Sequence, residues 1–398
     1  MINESTKRIK IAIASAGRFH LLDLARELDA IGCDVSFYSY VFRGRAKKFG
    51  LPRKCHVGLL PYIFPLVFLE RTLPARFQPV IERLMCRALD LLVIWRMRPC
   101  DLFVCMSGIY LAAPRYAQRR YGAKVILHRA SEHILVQKEI LARASKGHQV
   151  SDFTVHRELK GYALADQISV ASSHVVESFK AWVEQAAKVH KNPLGVDILQ
   201  FPFVDRKDET DPKTVLYVGQ WSYRKGVDIL TRAISSLDGI RLLHVGPVTD
   251  VKFPADPRFI HHESVSQDRL KEFYKQAQVF VLASREDGFG LVLSQALASG
   301  CIVVCSDRTG GPDLSEIGDI GRLLRIVRAG DASALATAIS TALRQAADKS
   351  LTPIRQTERE QLSWKCYAER ELHIMTSDRP TIVSHGESRA GVDDFAER

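Results

Sequence analysis

The sequence predicts an α/β protein built from two doubly wound parallel-sheet domains in tandem. Short apolar runs alternate with amphipathic helical stretches from residue 9 to about residue 345, the rhythm of strands joined by crossover helices. That rhythm breaks once, at Asn192-Pro193-Leu194-Gly195-Val196-Asp197 and the polar stretch 205–213, and then restarts. A length of 398 residues also suits two domains better than one.

The elements follow in chain order. Residues 9–14 read as a buried strand, and residues 21–31 as a helix with Leu21, Leu24, Ala25 and Leu28 on one face. Further strands are expected at 35–40, 102–106, 124–127 and 168–171, with helices between them. After the break, strands are expected at 215–218, 242–245, 279–282 and 302–304, with helices such as 227–236 and 332–343. The expected division is a first domain over 1–200 and a second over 201–353. A helix over 354–375 is expected to pack back towards the first domain. The polar, aperiodic residues 376–398 read as a mobile tail.

One stretch departs from this pattern. Residues 59–69 are nearly all apolar and contain Pro61 and Pro65; Arg71 and Arg76 follow. Residues 80–98 then form an amphipathic pattern with Arg83, Arg87 and Asp90 on its polar side. Basic and apolar surface together suit an interfacial membrane contact. A proline-shaped loop and helix packed on the sheet would read the same way.

Composition narrows the class. Apolar residues make up 46% and charged residues 25%, both ordinary for a globular protein. No apolar run reaches 18 residues, so no spanning helix is expected. A polar start leading straight into a strand argues against a cleaved signal peptide. The eight cysteines form no Cys-x-x-Cys pair and read as buried thiols of a reducing cytosol. Residues 1–200 carry 30 Lys and Arg against 17 Asp and Glu, whereas the rest carries 26 against 28. An anionic partner for the first half is therefore expected: a membrane surface, a nucleic acid or a phosphorylated substrate.

The chemistry concentrates in the second half. The run 215–218 ends at Gly219, Gln220–Tyr223 form a loop, and Arg224-Lys225-Gly226 enter the helix that starts at Val227. Cations at a helix start oppose the helix dipole unless an anion sits there, held jointly by basic side chains and free N–H groups. About sixty residues later the apolar run 279–282 ends in a polar turn, Ser284-Arg285-Glu286-Asp287-Gly288-Phe289-Gly290. That turn opens into a helix-period stretch ending at Gly300, which puts acidic and amide side chains where open α/β sheets bind ligands.

These residues resemble a known family. Gly219, Arg224-Lys225-Gly226-Val227-Asp228, Glu286-Asp287-Gly288-Phe289-Gly290-Leu291, Gln295-Ala296, Ala298-Ser299-Gly300 and Thr309-Gly310-Gly311 look, in order and spacing, like the nucleotide-sugar half of glycosyltransferase family 4. Gly17-Arg18-Phe19-His20, Arg129-Ala130-Ser131-Glu132-His133 and the stretches 162–172 and 192–197 are similar at lower specificity. The resemblance implies the GT-B fold, two Rossmann-like domains facing a central cleft. It implies a retaining, metal-independent hexosyltransferase that needs no cofactor beyond its UDP- or GDP-linked donor. In the family's Glu-x7-Glu pattern the first acid contacts the donor sugar and the second binds the ribose diol; here those positions are Asp287 and Gln295. Gln can still hydrogen-bond a diol without charge. Glu286 could share the role of Asp287, and Gln220 stands where an arginine is expected, with Arg224 as its substitute.

The resemblance further implies that Lys225, with Arg224 or Arg18, stabilises the departing diphosphate. Backbone N–H groups at Gly310-Gly311 or after Gly290 would assist, and Gly17, Gly219, Gly288, Phe289 and Leu291 would line the donor site. His133 is the expected first-domain contact, with His128 and His20 as rivals. The expected acceptor is a glycan or lipid-linked oligosaccharide, carried on a lipid diphosphate, in surface polysaccharide biosynthesis, and the expected location is cytoplasmic and peripheral on an anionic leaflet. A GT-B epimerase or phosphorylase, or a pseudo-glycosyltransferase serving as an assembly partner, remains open beside this reading. Other chemistries lack their motifs: no Gly-x-Gly-x-x-Gly after a strand, no Gly-x4-Gly-Lys-Ser/Thr, no His-Glu-x-x-His and no Asp-x-Asp. No nucleic-acid partner is expected, because the basic half lacks a recognisable module with interleaved aromatics.

Overall fold

In the computed structural model, residues 8–144, 150–204, 213–348 and 352–377 are described. Two parallel sheets organise them. The first contains β1 (Lys10–Ala14), β2 (Asp34–Ser39), β3 (His56–Gly58), β4 (Leu102–Met106), β5 (Lys124–Arg129), β6 (Gln167–Val170) and β7 (Val189–Lys191), in the order β3-β2-β1-β4-β5-β6-β7. The second contains β8 (Thr214–Val218), β9 (Arg241–Val245), β10 (Phe259–His262), β11 (Val279–Leu282), β12 (Ile302–Ser306) and β13 (Leu324–Val327), in the order β10-β9-β8-β11-β12-β13. The central strands are apolar along their length because helices cover both faces; β4, β8, β11 and β12 are buried at every residue.

In each sheet the chain winds first to one side of its first strand and later to the other. The switch points fall between β1 and β4 and between β8 and β11. Crevices open there, outside the carboxyl ends of the strands. The polar segment expected to separate the domains lies at 205–212, outside the described residues, as does the expected tail from residue 378 onwards.

The C-terminal stretch forms two helices, Gln356–Gln361 and Trp364–Thr376. The second returns to the first domain and packs against helix Phe19–Ala30. Tyr367 and Ala368 join the core of β1, β2 and β4, and Lys124 donates to the carbonyls of Met375 and Ser377 at 3.0 Å each.

The apolar stretch near residue 60 is a helix, Leu60–Thr72, rather than a loop. Pro61 sits in its first turn, where the missing N–H costs nothing, and the helix continues through Pro65. Of this helix only Ile63 is buried. Helix Gln78–Arg96 lies beside it and buries Ile81, Met85, Leu89 and Val93.

Side-chain clamps join the domains. Ser172 donates to the Gly288 carbonyl at 2.6 Å, and the N–H and hydroxyl of Ser173 both reach Asp313, whose carboxylate also pairs with Lys191 at 2.8 Å. Gly288 has no alternative at this seam, since a Cβ there would collide with the Ala130 carbonyl. Seven of the eight cysteines are buried and Cys366 is partly so.

Candidate functional site

A cavity of about 440 Å³ lies between the carboxyl edges of the two sheets. The second domain contributes Gly219, Lys225, Asp287, Gly288, Phe289, Gly290, Leu291 and Gln295 to its wall. The first domain contributes Arg18, Phe19, His20 and His128, and the returning helix contributes Trp364 and Tyr367.

Lys225 and Asp287 come from different segments and meet by construction. After β8 the chain makes one 3₁₀ turn, Tyr223–Lys225, and Gly226 takes a left-handed φ of +69° to start helix Val227–Ser235. A Cβ at Gly226 would collide with the Ala283 carbonyl, so only glycine lets this turn lie against the end of β11. Arg285 fastens the two segments. Its guanidinium stacks 3.6 Å from the Tyr223 ring centre and forks onto both oxygens of Asp228 at 2.6 and 2.7 Å, while its N–H bonds the Arg224 carbonyl at 2.9 Å. Sequence reasoning quoted Arg285, Asp228 and Tyr223 but gave them no role; an arginine beside the acidic pair was the available signal.

The result is a Lys225 Nζ–Asp287 Oδ2 contact of 2.5 Å in the cavity wall. Burial opposes ionisation of Asp287, but Lys225 and Arg224 outweigh it and hold the carboxyl below its usual value. The site therefore carries an ammonium–carboxylate pair at neutral pH. Gln295, on helix Leu291–Ala298, accepts from the Tyr274 hydroxyl at 2.9 Å through its side-chain oxygen, which leaves its NH₂ for a ligand. That helix starts at Gly290, φ +79°, and its first residues, Leu291 and Val292, line the cavity.

Several expected residues stand elsewhere. Glu286 is fully buried behind the wall, and its carboxylate and carbonyl both accept from Arg224, at 2.9 and 3.2 Å. It therefore holds Arg224, and neither residue lines the cavity. His133 is excluded from the cleft because its ring is consumed by packing. It stacks on Trp182 at 3.6 Å between centroids, meets Phe179 edge-on, and its Nε2 contacts the Gln185 side chain at 3.0 Å. Burial chiefly, with nearby Arg129, lowers its pKa to about 4 against the Gln185 hydrogen bond.

Gly310 and Gly311 offer no free amides to the cavity. Their N–H groups bond the Phe289 carbonyl at 2.7 Å and the Thr309 hydroxyl at 3.2 Å, and a Cβ on Gly310 would collide with the Phe289 ring. Their smallness lets the 288–290 loop settle. Gly17 lies behind Arg18, its carbonyl accepting from Ser15 at 2.8 Å. Arg18 itself reaches the wall, but its guanidinium stacks on Phe49 and bonds Gln267 at 2.8 Å and Asp23 at 3.3 Å. His20 and His128, ranked behind His133 on sequence, are the histidines that border the cleft.

Residues 212–345 match the family model described as Glycosyl transferases group 1. A GDP-mannose:cellobiosyl-diphosphopolyprenol α-mannosyltransferase of Xanthomonas oryzae pv. oryzae is 31% identical over 160 residues, covering 36% of this chain and 41% of that protein. A GDP-mannose-dependent α-mannosyltransferase of Mycobacterium tuberculosis is 29% identical over 174 residues, covering 42% and 45%. The matches thus span under half the length of these relatives. Among solved structures, sucrose-phosphate synthase of Thermosynechococcus elongatus superposes with a TM-score of 0.64 at 17% identity, over 92% of this chain and 98% of that one. HepE of Anabaena, in complex with UDP and glucose, gives 0.62 at 13%, over 93% and 100%. At such identities the likeness is one of fold.

Proposed function

We propose that this chain, a GT-B protein of the glycosyltransferase family 4 type, moves a hexose from a UDP- or GDP-linked donor to a glycan or lipid-linked oligosaccharide. Transfer would retain the anomeric configuration, need no metal, and serve surface polysaccharide assembly. The observation that carries the reading is the Lys225–Asp287 pair in the wall of an interdomain cavity, beside Gln295 and an open helix start.

Each residue has a task in that reaction. When the bond between the anomeric carbon and the phosphate oxygen breaks, the nucleoside diphosphate departs with the electron pair. Lys225 and the N–H groups at the start of helix Leu291–Ala298 face that growing charge. Lys225 also supplies positive charge of the kind a divalent ion brings in other transferases. Asp287 accepts from hydroxyls of the transferred sugar, and Gln295 donates to the ribose diol. The acceptor hydroxyl attacks from the face the diphosphate leaves, and its proton passes to the departing phosphate oxygen, so no protein base is required.

Lipid-linked acceptors are supported by the acceptor named for the Xanthomonas relative and by a large exposed apolar surface on the first domain. Nine of the fifteen exposed large apolar side chains among the described residues fall between Tyr62 and Trp95. No helix among the described residues is long and apolar enough to cross a membrane, so attachment would be peripheral, on the cytoplasmic face.

Nucleotide sugars screened by thermal shift test the reading, because a ligand stabilises the state it binds. A UDP- or GDP-sugar should raise the melting temperature, and the same donor should then yield product with a diphosphate-linked acceptor. Failure of every donor to stabilise the protein or to turn over would sink the proposal.

A further inference from the structure

We infer that Phe19, at the start of helix Phe19–Ala30, is the platform on which the acceptor's sugar ring stacks, a specificity-determining residue on the first-domain wall of the cleft. The inference rests on the transferase reading above.

The ring stands apart from the other aromatics of the wall. Phe201, Phe289, Trp364 and Tyr367 border the same cavity and are at most 5% exposed, so their faces are taken up by packing. Phe19 is 51% exposed. It belongs to the first domain, whereas Lys225, Asp287 and Gln295, which the reading above assigns to the donor, belong to the second.

The backbone beneath the ring is strained. Phe19 has φ +36° and is the one non-glycine residue with positive φ among those described. A side chain costs free energy in that conformation, and glycine does not. The turn is forced from both ends. Four residues, 15–18, join β1 to the helix. Ahead of Phe19, the Gly17 carbonyl accepts from the Ser15 hydroxyl at 2.8 Å. The Arg18 guanidinium stacks on Phe49 at 3.5 Å and bonds Gln267 of the second domain at 2.8 Å. After Phe19, His20 is buried, its ring nitrogen 3.0 Å from that of His128. A short turn tied at both ends explains how the strain persists. It does not explain a phenyl group at a position that glycine would take freely. A large apolar ring, half in water on a strained backbone, gains the fold little, and a ligand in the cavity supplies what offsets both costs.

Sugar chemistry suits such a ring. A pyranose presents C–H groups on its faces, and an aromatic face carries partial negative charge that attracts them. The hydroxyls at the rim of the sugar can reach polar side chains that border the same cavity, such as His20, His128 and Asn192. An apolar surface with a few convergent polar groups is the usual make-up of a small-ligand site. The second domain takes the donor, so the sugar on the facing wall is the acceptor's.

Steady-state kinetics on the full chain test this, with the diphosphate-linked acceptor that the donor assay accepts. Phe19→Ala should raise the acceptor KM about tenfold, the scale of one lost ring contact, while the donor KM moves less than about twofold. Phe19→Trp should bring the acceptor KM back to within about threefold of the wild type, a rescue that a purely structural role would not give. An unchanged acceptor KM in Phe19→Ala, an equal rise in both KM values, or a Trp variant no better than Ala would overturn the inference. Phe19→Gly separates backbone from ring. It should lose acceptor affinity as Phe19→Ala does, yet melt above it, because alanine is strained at positive φ and glycine is not. Melting at or below Phe19→Ala would show an unstrained turn and count against the platform. If the wild type turns over no donor, the transferase reading falls by itself, and saturation-transfer NMR with methyl α-mannopyranoside, methyl β-glucopyranoside and methyl β-galactopyranoside then decides for the ring. Transfer to at least one glycoside should appear with the wild type and be lost in Phe19→Ala; equal transfer in both, or none in either, would reject the platform.

Discussion

Asp287 and Lys225 lie 62 positions apart in the chain and 2.5 Å apart in the fold. Both stand on short connections that the sequence marks: one 3₁₀ turn after β8 and one eight-residue loop after β11. Gln295 was legible for the same reason, lying about one turn into the helix that the loop opens. His133 was misjudged because its partners Trp182 and Phe179 come from a segment some fifty residues away, and nothing local announces a stacked ring. Glu286 and Asp287, adjacent in sequence, point apart, so only the fold separates the buttress from the wall. The pair also makes a pH prediction. The folded pKa of Asp287 is depressed, so its contribution to stability is present above the unfolded carboxyl value near 4 and is lost as pH falls through the folded value. Asp287→Asn should therefore destabilise the protein more at pH 7 than at pH 3.5 in urea titrations; equal losses at the two pH values would contradict the ion pair. Lys225→Met should lower kcat by about 10²- to 10³-fold, as loss of a charge-stabilising donor does elsewhere, and near-normal turnover would remove Lys225 from the mechanism.

At the scale of elements, the strands were readable because a parallel sheet buried on both faces needs unbroken apolar runs. The helix pair Leu60–Thr72 and Gln78–Arg96 was half readable. Its composition gave away a basic and apolar surface, but not which residues stay uncovered. Tyr62, Phe64, Phe68, Phe77, Leu84, Leu91 and Trp95 remain exposed, and Arg71, Arg76, Arg83, Arg87 and Arg96 are exposed among them. Tyr62 meets Trp95 edge-on at 5.2 Å, which links the two helices into one face. Each aromatic ring buried in an acyl layer contributes about 1.5–3 kcal/mol, and arginines add attraction to anionic lipid that salt screens. Phe64→Ser with Phe68→Ser should leave Tm nearly unchanged, since exposed substitutions move stability by about 0.5 kcal/mol or less. The same variant should sediment poorly with phosphatidylglycerol vesicles. Arg83→Gln with Arg87→Gln should weaken sedimentation mainly at low salt. Wild-type sedimentation by both variants would reject this face as the membrane contact.

The whole molecule is held closed at a seam that no sequence pattern exposes, because its charges pair across domains. Glu132 of the first domain lies 3.8 Å from Arg308 of the second. Both Glu132 and the nearby Glu286 are almost fully buried, and one oxygen of each, with both nitrogens of His174, lacks a hydrogen-bond partner among the described residues. Burial, then repulsion from Glu286, raise the Glu132 pKa to about 7, with Arg308 pulling the other way. The sign of the consequence is fixed by linkage. Above the unfolded value near 4.3 the native protein holds a proton that the unfolded chain has released, so stability falls as pH rises towards 7. Beyond the folded value the full penalty, on the order of a few kcal/mol, is present. Above pH 7 a charged Glu132 should repel Glu286 across the seam and weaken the contact between the domains. Glu132→Gln removes that titration while keeping the side-chain shape. Its unfolding free energy should gain on the wild type as pH rises from 5 to 8, and its donor affinity should vary less with pH over that range. An equal difference in stability at pH 5 and pH 8 would show that Glu132 is already ionised in the closed protein and that Arg308 alone balances it.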